Sequence, residues 1–476
     1  MPRNENLRRQ RILHNWRQQD LADQLGITVL TIQRWERGTQ QPSIYYRAKL
    51  CALFGRTVQE LGLVGDGNAQ SVSEIQARSE LSGPEFRHSI SYVEKGLWTV
   101  PYTRNAIFTG REQLLERLTA RFSFDQREHM LSMCQPGVPQ ICALKGLGGI
   151  GKTQVALEYA YRAHEQGCYT HTIWINATNE ESMLNSYSVL VDVLPEQYRC
   201  QVMNQNQRAR AVLRWLEECE QPWLLIADNA DNLDLIQRYL PARGSGHVLL
   251  TTCASAVCIM ANVLEVDSMD VSEGTQLLLR RAQRTHASDN EIDEATNLTV
   301  ALGQFPLALD QAGAYIEETG CSIREYHHLY QQHHHALLAR RGRQYVGHPD
   351  SVVTTLSFAF EQVECANQAA AEFLRLCAFL KPDRISEELL INGAPHWPHA
   401  LRTAVSDRLR FDQMCKTLLA FSLVKRLPEK RMLSVHRLVQ LVQMERLTLE
   451  EQRQWDERLL DAGYANAASN TLCLVM

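Results

Sequence analysis

Eight consecutive residues, Gly146-Leu147-Gly148-Gly149-Ile150-Gly151-Lys152-Thr153, constrain this chain more than any others. They follow the apolar run Ile141-Cys142-Ala143-Leu144 and open a stretch of helical spacing, Val155-Ala156-Leu157-Glu158-Tyr159-Ala160. Strand, glycine loop and helix with G-x-x-x-x-G-K-[ST] spacing make a phosphate-binding P-loop. Glycines let several backbone N–H groups turn inward around an anion, and the helix start adds the positive end of its dipole. Lys152 is placed to reach the β- and γ-phosphates, and Thr153 to hold Mg²⁺.

The segments around the loop repeat its architecture. Thr172-Ile173-Trp174-Ile175-Asn176, Trp223-Leu224-Leu225-Ile226-Ala227-Asp228 and His247-Val248-Leu249-Leu250-Thr251-Thr252 read as buried strands alternating with helices. That alternation predicts a parallel, doubly wound sheet with its ligand at the carboxyl ends of the strands. Asp228 ends its strand beside the loop, where a carboxylate holds Mg²⁺ or a water bound to it. Taken without the loop, the same aspartate reads equally as the N-cap of the next segment.

The first sixty residues differ in character: ten basic side chains stand against five acidic ones, although the whole chain has a net charge of −5. Gln18 to Leu25 reads as a helix stopped by Gly26, and Val29 to Arg37 as a second helix stopped by Gly38, with Thr28 placed to cap it. Two short helices joined by a tight glycine turn make a helix-turn-helix. The polar, punctuated stretch 65–104 reads as a linker.

Composition is that of an ordinary globular protein, with 45% hydrophobic and 22% charged residues. Met1-Pro2-Arg3-Asn4-Glu5 begins no apolar leader and no run is long enough to span a membrane, so a cytoplasmic location without membrane attachment is expected. The 13 cysteines contain no C-x-x-C pair and read as reduced thiols. His327, His328, His333, His334 and His335 contain no i, i+4 pair, so they read as a solvated helix face and not as a metal site.

The helix-turn-helix resembles that of phage repressors and Cro. The shared pattern is Gln18-x-x-Leu21-Ala22-x-x-Leu25-Gly26-Ile27-Thr28, then Ile32-x-x-Trp35-Glu36-Arg37-Gly38. The resemblance implies phosphate contacts from Gln18 and Thr28 and entry of Val29, Leu30, Gln33 and Arg34 into the major groove. DNA is therefore the partner expected of residues 1–64.

The order of motifs further along resembles the signal-transducing NTPases with numerous domains (STAND) that carry an NB-ARC domain, in their bacterial branch related to disease-resistance proteins. The motifs are Phe108-Thr109-Gly110-Arg111-Glu112, the P-loop, Leu224 to Asp231, Gly303-Gln304-Phe305-Pro306-Leu307-Ala308-Leu309, and Val435-His436-Arg437 in place of Met-His-Asp. The resemblance implies four folded parts: an all-α helix-turn-helix domain (1–64), a P-loop α/β parallel-sheet domain (105–270), a helical domain (271–345) and a winged-helix domain (346–446). Residues 447–476 read as a helical stub, without the sensor repeats of relatives, which leaves a separate sensor protein as a possible partner. It also implies ADP or ATP with Mg²⁺ as ligands. They would be held by Arg111, Gly146, Gly148, Gly149, Ile150, Gly151, Lys152, Thr153, Gln154, Thr252, Pro306 and His436, with Thr153 and Asp228 on the metal.

Two departures bear on turnover, in which Lys152 and Asp228 would take part. Cys253 stands where the family has an arginine, and Asn229 where related ATPases have a glutamate. Without that cation and base, hydrolysis is expected to be slow or absent. The reading that follows is a nucleotide-controlled switch that self-associates on activation and acts on DNA as a transcriptional or defence regulator. The alternatives are a slow-turnover ATPase and an ADP-binding adaptor whose helix-turn-helix contacts protein. Lys425, Arg426, Lys430 and Arg431 offer a second DNA contact, although in the family this segment serves as an intramolecular clamp.

Overall fold

The apolar runs around the P-loop become the interior of one sheet. In the computed structural model its strands are β1 (Ser91–Val93), β2 (Gly96–Trp98), β3 (Gln140–Lys145), β4 (His171–Asn176), β5 (Trp223–Asp228), β6 (His247–Thr252) and β7 (Asn262–Glu265). Their order is β1-β2-β4-β5-β6-β3-β7, with β1 antiparallel to β2 and every other pairing parallel. Strands β5 and β6 are buried at every position, which is why they read as unbroken apolar runs. The structure describes residues 5–13, 18, 21, 32, 35, 36, 50, 54, 61, 91–93, 96–122, 137–199, 204–284, 286–340, 350–382 and 385–464.

Two units divide the chain, Met1–Pro84 and Glu85–Met476. In the first, the helix Glu5–Leu13 contributes Leu7 to an interior that also holds Leu21, Ile32, Trp35, Leu50, Phe54 and Leu61. Ile32 and Trp35 are three apart and Leu50 and Phe54 four apart, so each pair lies on one helical face. A buried ion pair crosses this unit: Arg11 Nε donates to Glu36 Oε1 at 2.7 Å, and Gln18 Nε2 donates to Glu36 Oε2 at 2.7 Å.

The second unit begins earlier than its composition indicates. Strands β1 and β2 fall inside the stretch 65–104 read as a linker, Trp98 pairs with Thr172, and Leu97 and Val100 are buried. Strands of three residues are too short to show a period of two, so no sequence pattern marks them. One sheet face packs on Met183, Tyr187 and Trp215. The other is continuous with a core that runs through the helices as far as Leu459.

Four helices follow the sheet: Val271–Arg281, Asp289–Ala301, Pro306–Thr319 and Ile323–Ala339. Ser288 with Glu291, and Ser322 with Glu325, form capping boxes that start two of them. The histidine-rich helix buries Ile323, Tyr326, Tyr330 and Leu338 and is kinked at His333 (φ −137°, ψ 38°). Next come the helices Val352–Ala366, Gln368–Cys377, Glu387–Asn392, His399–Val405 and Arg408–Ala420. A hairpin of β9 (Val424–Leu427) and β10 (Met432–Val435) takes β8 (Ile385–Ser386) as a third antiparallel strand, and the helices Arg437–Arg446 and Leu449–Asp461 close the unit. Among the described residues, no helix is long and apolar enough to cross a membrane.

Candidate functional site

The P-loop leaves β3 at its carboxyl end and enters the helix Lys152–Glu165, as its spacing predicts. Gly149 (φ 82°) and Gly151 (φ 96°) take left-handed conformations that side chains disfavour. A Cβ at Gly149 would also stand 2.9 Å from Leu307 Cδ2, so the loop is packed against the helix Pro306–Thr319. Between these elements lies a cavity of about 370 Å³, within the range of small-ligand sites.

The cavity has a polar and an apolar end. Gly148 to Thr153, Asp228, Asn229 and Cys253 line the first, and Ile107, Phe108, Leu277, Pro306 and Leu307 the second. At the polar end the Lys152 ammonium donates to Gly146 O (2.8 Å), Leu147 O (3.1 Å) and Cys253 Sγ (3.3 Å). Its three protons are thereby matched to three acceptors, with the thiol sulfur the weakest of them. Asp228 Oδ1 accepts from Thr153 Oγ1 at 2.8 Å and from Thr251 Oγ1 at 2.5 Å. Burial pushes the Asp228 carboxyl above its usual value, while both hydroxyls and Lys152 pull the other way. Thr153 and Asp228, the two residues expected to hold Mg²⁺, are thus together, and the glycine-lined hollow with its ammonium suits a phosphate chain.

Arg111 is held where the P-loop meets the helical part. Gly110 (φ 67°) and Arg111 (φ 65°) are both left-handed, and the Arg111 N–H donates to Glu273 Oε1 at 2.7 Å. Its guanidinium lines the cavity and donates to Ser268 O (3.3 Å) and Ile150 O (3.4 Å). Burial lowers the guanidinium pKa, opposed by the charges of Glu273, Asp267 and Asp270. The preceding segment is tied to the P-loop helix: Arg104 donates to both oxygens of Glu158 (3.0 and 2.8 Å), and Asn105 Nδ2 donates to Gln154 Oε1 at 2.9 Å. Gln154 and Asn105 both line the cavity.

Pro306 occupies the first turn of its helix and faces the cavity, so its packing role and its position toward a ligand coincide. Gly146, Thr252 and His436 are not among the lining residues. Gly146 N–H donates to Thr252 O at 3.3 Å, and Thr252 Oγ1 donates to Asp231 Oδ1 at 3.0 Å, so both serve the strand ends behind the loop. His436 caps the helix Arg437–Arg446: its Nδ1 accepts from Leu438 N–H at 3.1 Å. Nε2 therefore carries the proton, facing Gly303 O (3.0 Å) and Ser268 Oγ (3.1 Å). Its ring centroid lies 5.1 Å from that of Phe305, which places the histidine one residue behind the cavity wall at Pro306.

Sequence reasoning did not single out Ile107, Leu277, Asp310 or Asp350, all of which line the cavity. Asp310 follows the motif ending at Leu309, which could have drawn attention to it; Leu277 and Asp350 carry no local signal. Of the residues assigned to DNA, Gln18 bonds Glu36, while Thr28, Val29, Leu30, Gln33 and Arg34 lie outside the described residues. In the hairpin, Lys425 pairs with Asp267 and with Glu265 (3.7 Å), and Arg426 with Glu387 (2.7 Å) and Asp412 (2.8 Å), so both cations have acidic partners within the fold. Among the described residues, no group of histidine, cysteine and acidic side chains is arranged to bind a metal.

Comparison with known families finds a helix-turn-helix profile over residues 7–61, an NB-ARC domain profile over 124–287 and a domain of unknown function (DUF7779) over 361–452. The chain therefore carries a helix-turn-helix domain followed by a P-loop NB-ARC domain. It is 27% identical over 380 residues to a nucleotide-binding leucine-rich repeat (NLR)-like protein of Hyaloscypha variabilis, covering 72% of this chain and 35% of that protein, about a third of its length. Among solved structures it is similar to a STAND protein with a tetratricopeptide repeat sensor from Pyrococcus horikoshii (13% identity, TM-score 0.31, 77% of this chain and 47% of that one). It is also similar to the ADP form of the Aeropyrum pernix ORC2 protein (14% identity, TM-score 0.37, 71% and 95%).

Proposed function

We propose that this chain is a nucleotide-controlled switch whose output is DNA binding through its first unit. The observation that carries the reading is the composition of the cavity wall: P-loop residues form one side, while Leu277, Pro306, Leu307 and Asp350 come from helices beyond the sheet or the segment that leads into one. A ligand bound there touches both sides at once, so its affinity depends on how they are placed, and it shifts that placement by its differential affinity. ADP or ATP with Mg²⁺ is the ligand class that the P-loop, Lys152, Thr153 and Asp228 would hold. Bound Mg²⁺ would offset phosphate charge between Thr153 and Asp228.

ADP retention is favoured over turnover. Cys253 and Asn229 line the polar end, and among the described residues the cations in the lining are Lys152 and Arg111. A developing charge at the γ-position therefore meets a thiol and an amide where hydrolysis calls for a cation and a base. His436 takes part as a strut between the winged-helix segment and Ser268 and Gly303. In this reading, exchange of ADP for ATP loosens the strut, frees surfaces for self-association and gathers helix-turn-helix domains on DNA.

The test is to denature the purified protein and identify the nucleotide released, then to titrate ADP and ATP against thermal unfolding. ADP raising the melting temperature of the intact chain, with Arg34→Ala weakening DNA binding, is expected. A melting temperature indifferent to both nucleotides sinks the switch reading. Multiple turnover of ATP that disappears in Asp228→Asn replaces it with the ATPase reading. DNA affinity without steep salt dependence favours the adaptor.

A further inference from the structure

Cys253, the residue directly after β6, is engaged at three atoms that lead to three different elements. Its N–H donates to Asp231 Oδ1 at 2.6 Å, beyond the end of β5. Its Sγ accepts from Lys152 Nζ at 3.3 Å. Its carbonyl accepts from Ser422 Oγ at 2.9 Å, and Ser422 leads into the hairpin strand β9. One residue at the phosphate end of the cavity thus touches the P-loop lysine and the far segment together.

Ser422 is an unusual residue for its position. It follows the C-cap Phe421 of the helix Arg408–Ala420, with φ 53°. Its N–H donates to Leu419 O (3.1 Å) and the Leu423 N–H donates to Leu418 O (3.2 Å), the bond pattern of a Schellman motif. That position is left-handed and favours glycine, because a Cβ there is strained. A serine in a glycine position costs local stability, and here its hydroxyl reaches Cys253 O. Two ionic contacts, Lys425 with Asp267 and Glu265, dock the same hairpin nearby.

We propose that Ser422 is a positioning residue through which the hairpin segment senses the phosphate end of the cavity, with Cys253 as the shared joint. The inference rests on the reading of that cavity as a nucleotide site. A phosphate drawing the Lys152 ammonium forward releases the weakest of its three acceptors, the Cys253 sulfur. The residue freed on one side is the residue that Ser422 grips on the other. Cys253 released by the lysine is held more firmly by Ser422, and by linkage a grip that phosphate strengthens holds the nucleotide more firmly in return, so loss of the grip weakens nucleotide retention.

The test measures release of a fluorescent ADP analogue from the full chain and from three variants. Ser422→Gly relaxes the helix end while deleting the hydroxyl, so melting temperature holds or rises while release accelerates about 5- to 10-fold, the worth of one hydrogen bond. Ser422→Ala deletes the hydroxyl and keeps the strain, so release accelerates equally. Ser422→Asn tolerates the backbone and restores a donor, so release returns toward wild type. Hydrogen exchange of residues 424–427 changes with ADP in the wild type and not in Ser422→Gly. A merely structural role predicts slower or unchanged release in Ser422→Gly, following its stability. ADP binding with wild-type release in both Ser422→Gly and Ser422→Ala overturns the proposal alone, whereas a wild-type chain that binds no ADP overturns it together with the reading of the cavity.

Discussion

Thr153 Oγ1 donates to Asp228 Oδ1 across 2.8 Å, joining the first turn of the P-loop helix to the last residue of β5. Burial of the Asp228 carboxylate sets a pH dependence that the Thr153 bond opposes. The Asp228 carboxyl is raised above its ordinary 3.8 by burial, so in the window just above that value the folded chain binds a proton that the unfolded chain has lost. The stabilisation this proton brings is full below the unfolded value and disappears as pH rises through the folded one. Mg²⁺ requires the deprotonated form, so its stabilisation of the ADP-bound chain should weaken as pH falls, beginning above 3.8. Melting curves with and without Mg²⁺ across pH check this, and Asp228→Asn should abolish the Mg²⁺ increment at every pH.

Lys152→Ala should separate phosphate binding from folding. The ammonium is buried against Gly146 O and Leu147 O, so its removal leaves two carbonyls without that donor. ADP at about a hundred times its Kd should stabilise the wild type by about 2.7 kcal/mol. Calorimetry should find that increment lost in Lys152→Ala, with only a modest change in the nucleotide-free protein.

Gly149→Ala should close the cavity from inside. The backbone φ of 82° strains any Cβ, by about 1–2 kcal/mol, and the new methyl meets Leu307 Cδ2 at 2.9 Å. Pairing it with Leu307→Ala relieves the collision and not the strain. Leu307 is itself buried and its truncation costs about 2–5 kcal/mol, so denaturant unfolding should find the double variant less destabilised than the sum of the two single variants.

Glu36→Ala should disable the first unit and spare the second. The carboxylate accepts from Arg11 and Gln18, and loss of one partner from a buried ion pair costs about 3 kcal/mol. DNA affinity should fall by at least tenfold while the ADP-dependent melting shift of the second unit persists. Loss of both responses would show that the two units do not unfold independently.

Much of the site was legible because its chemistry is local. The glycines, Lys152 and Thr153 stand within eight residues, and their conformations follow from the absence of side chains and from the helix start. Asp228 was legible because an apolar strand must end somewhere, and an aspartate at its end beside such a loop has few other uses. The pairing of Arg11 with Glu36 was not, since 25 residues separate them and either is an ordinary surface charge in isolation. His436 marks the limit of motif reading: the motif identified the residue, and only the fold shows its nitrogens committed to Leu438, Gly303 and Ser268.

The sequence by itself determined the parallel sheet, the P-loop, the residues at the polar end of its cavity and the helix-turn-helix, because periodicity and backbone freedom act over a few neighbours. Only the tertiary structure decided which distant groups complete the cavity, that β2 extends the sheet, and that Ser422 meets the carbonyl of Cys253 across 169 positions of chain. The reason is physical: a side chain's contacts across the fold depend on how all intervening elements pack, and packing is a property of the whole core that no local pattern encodes.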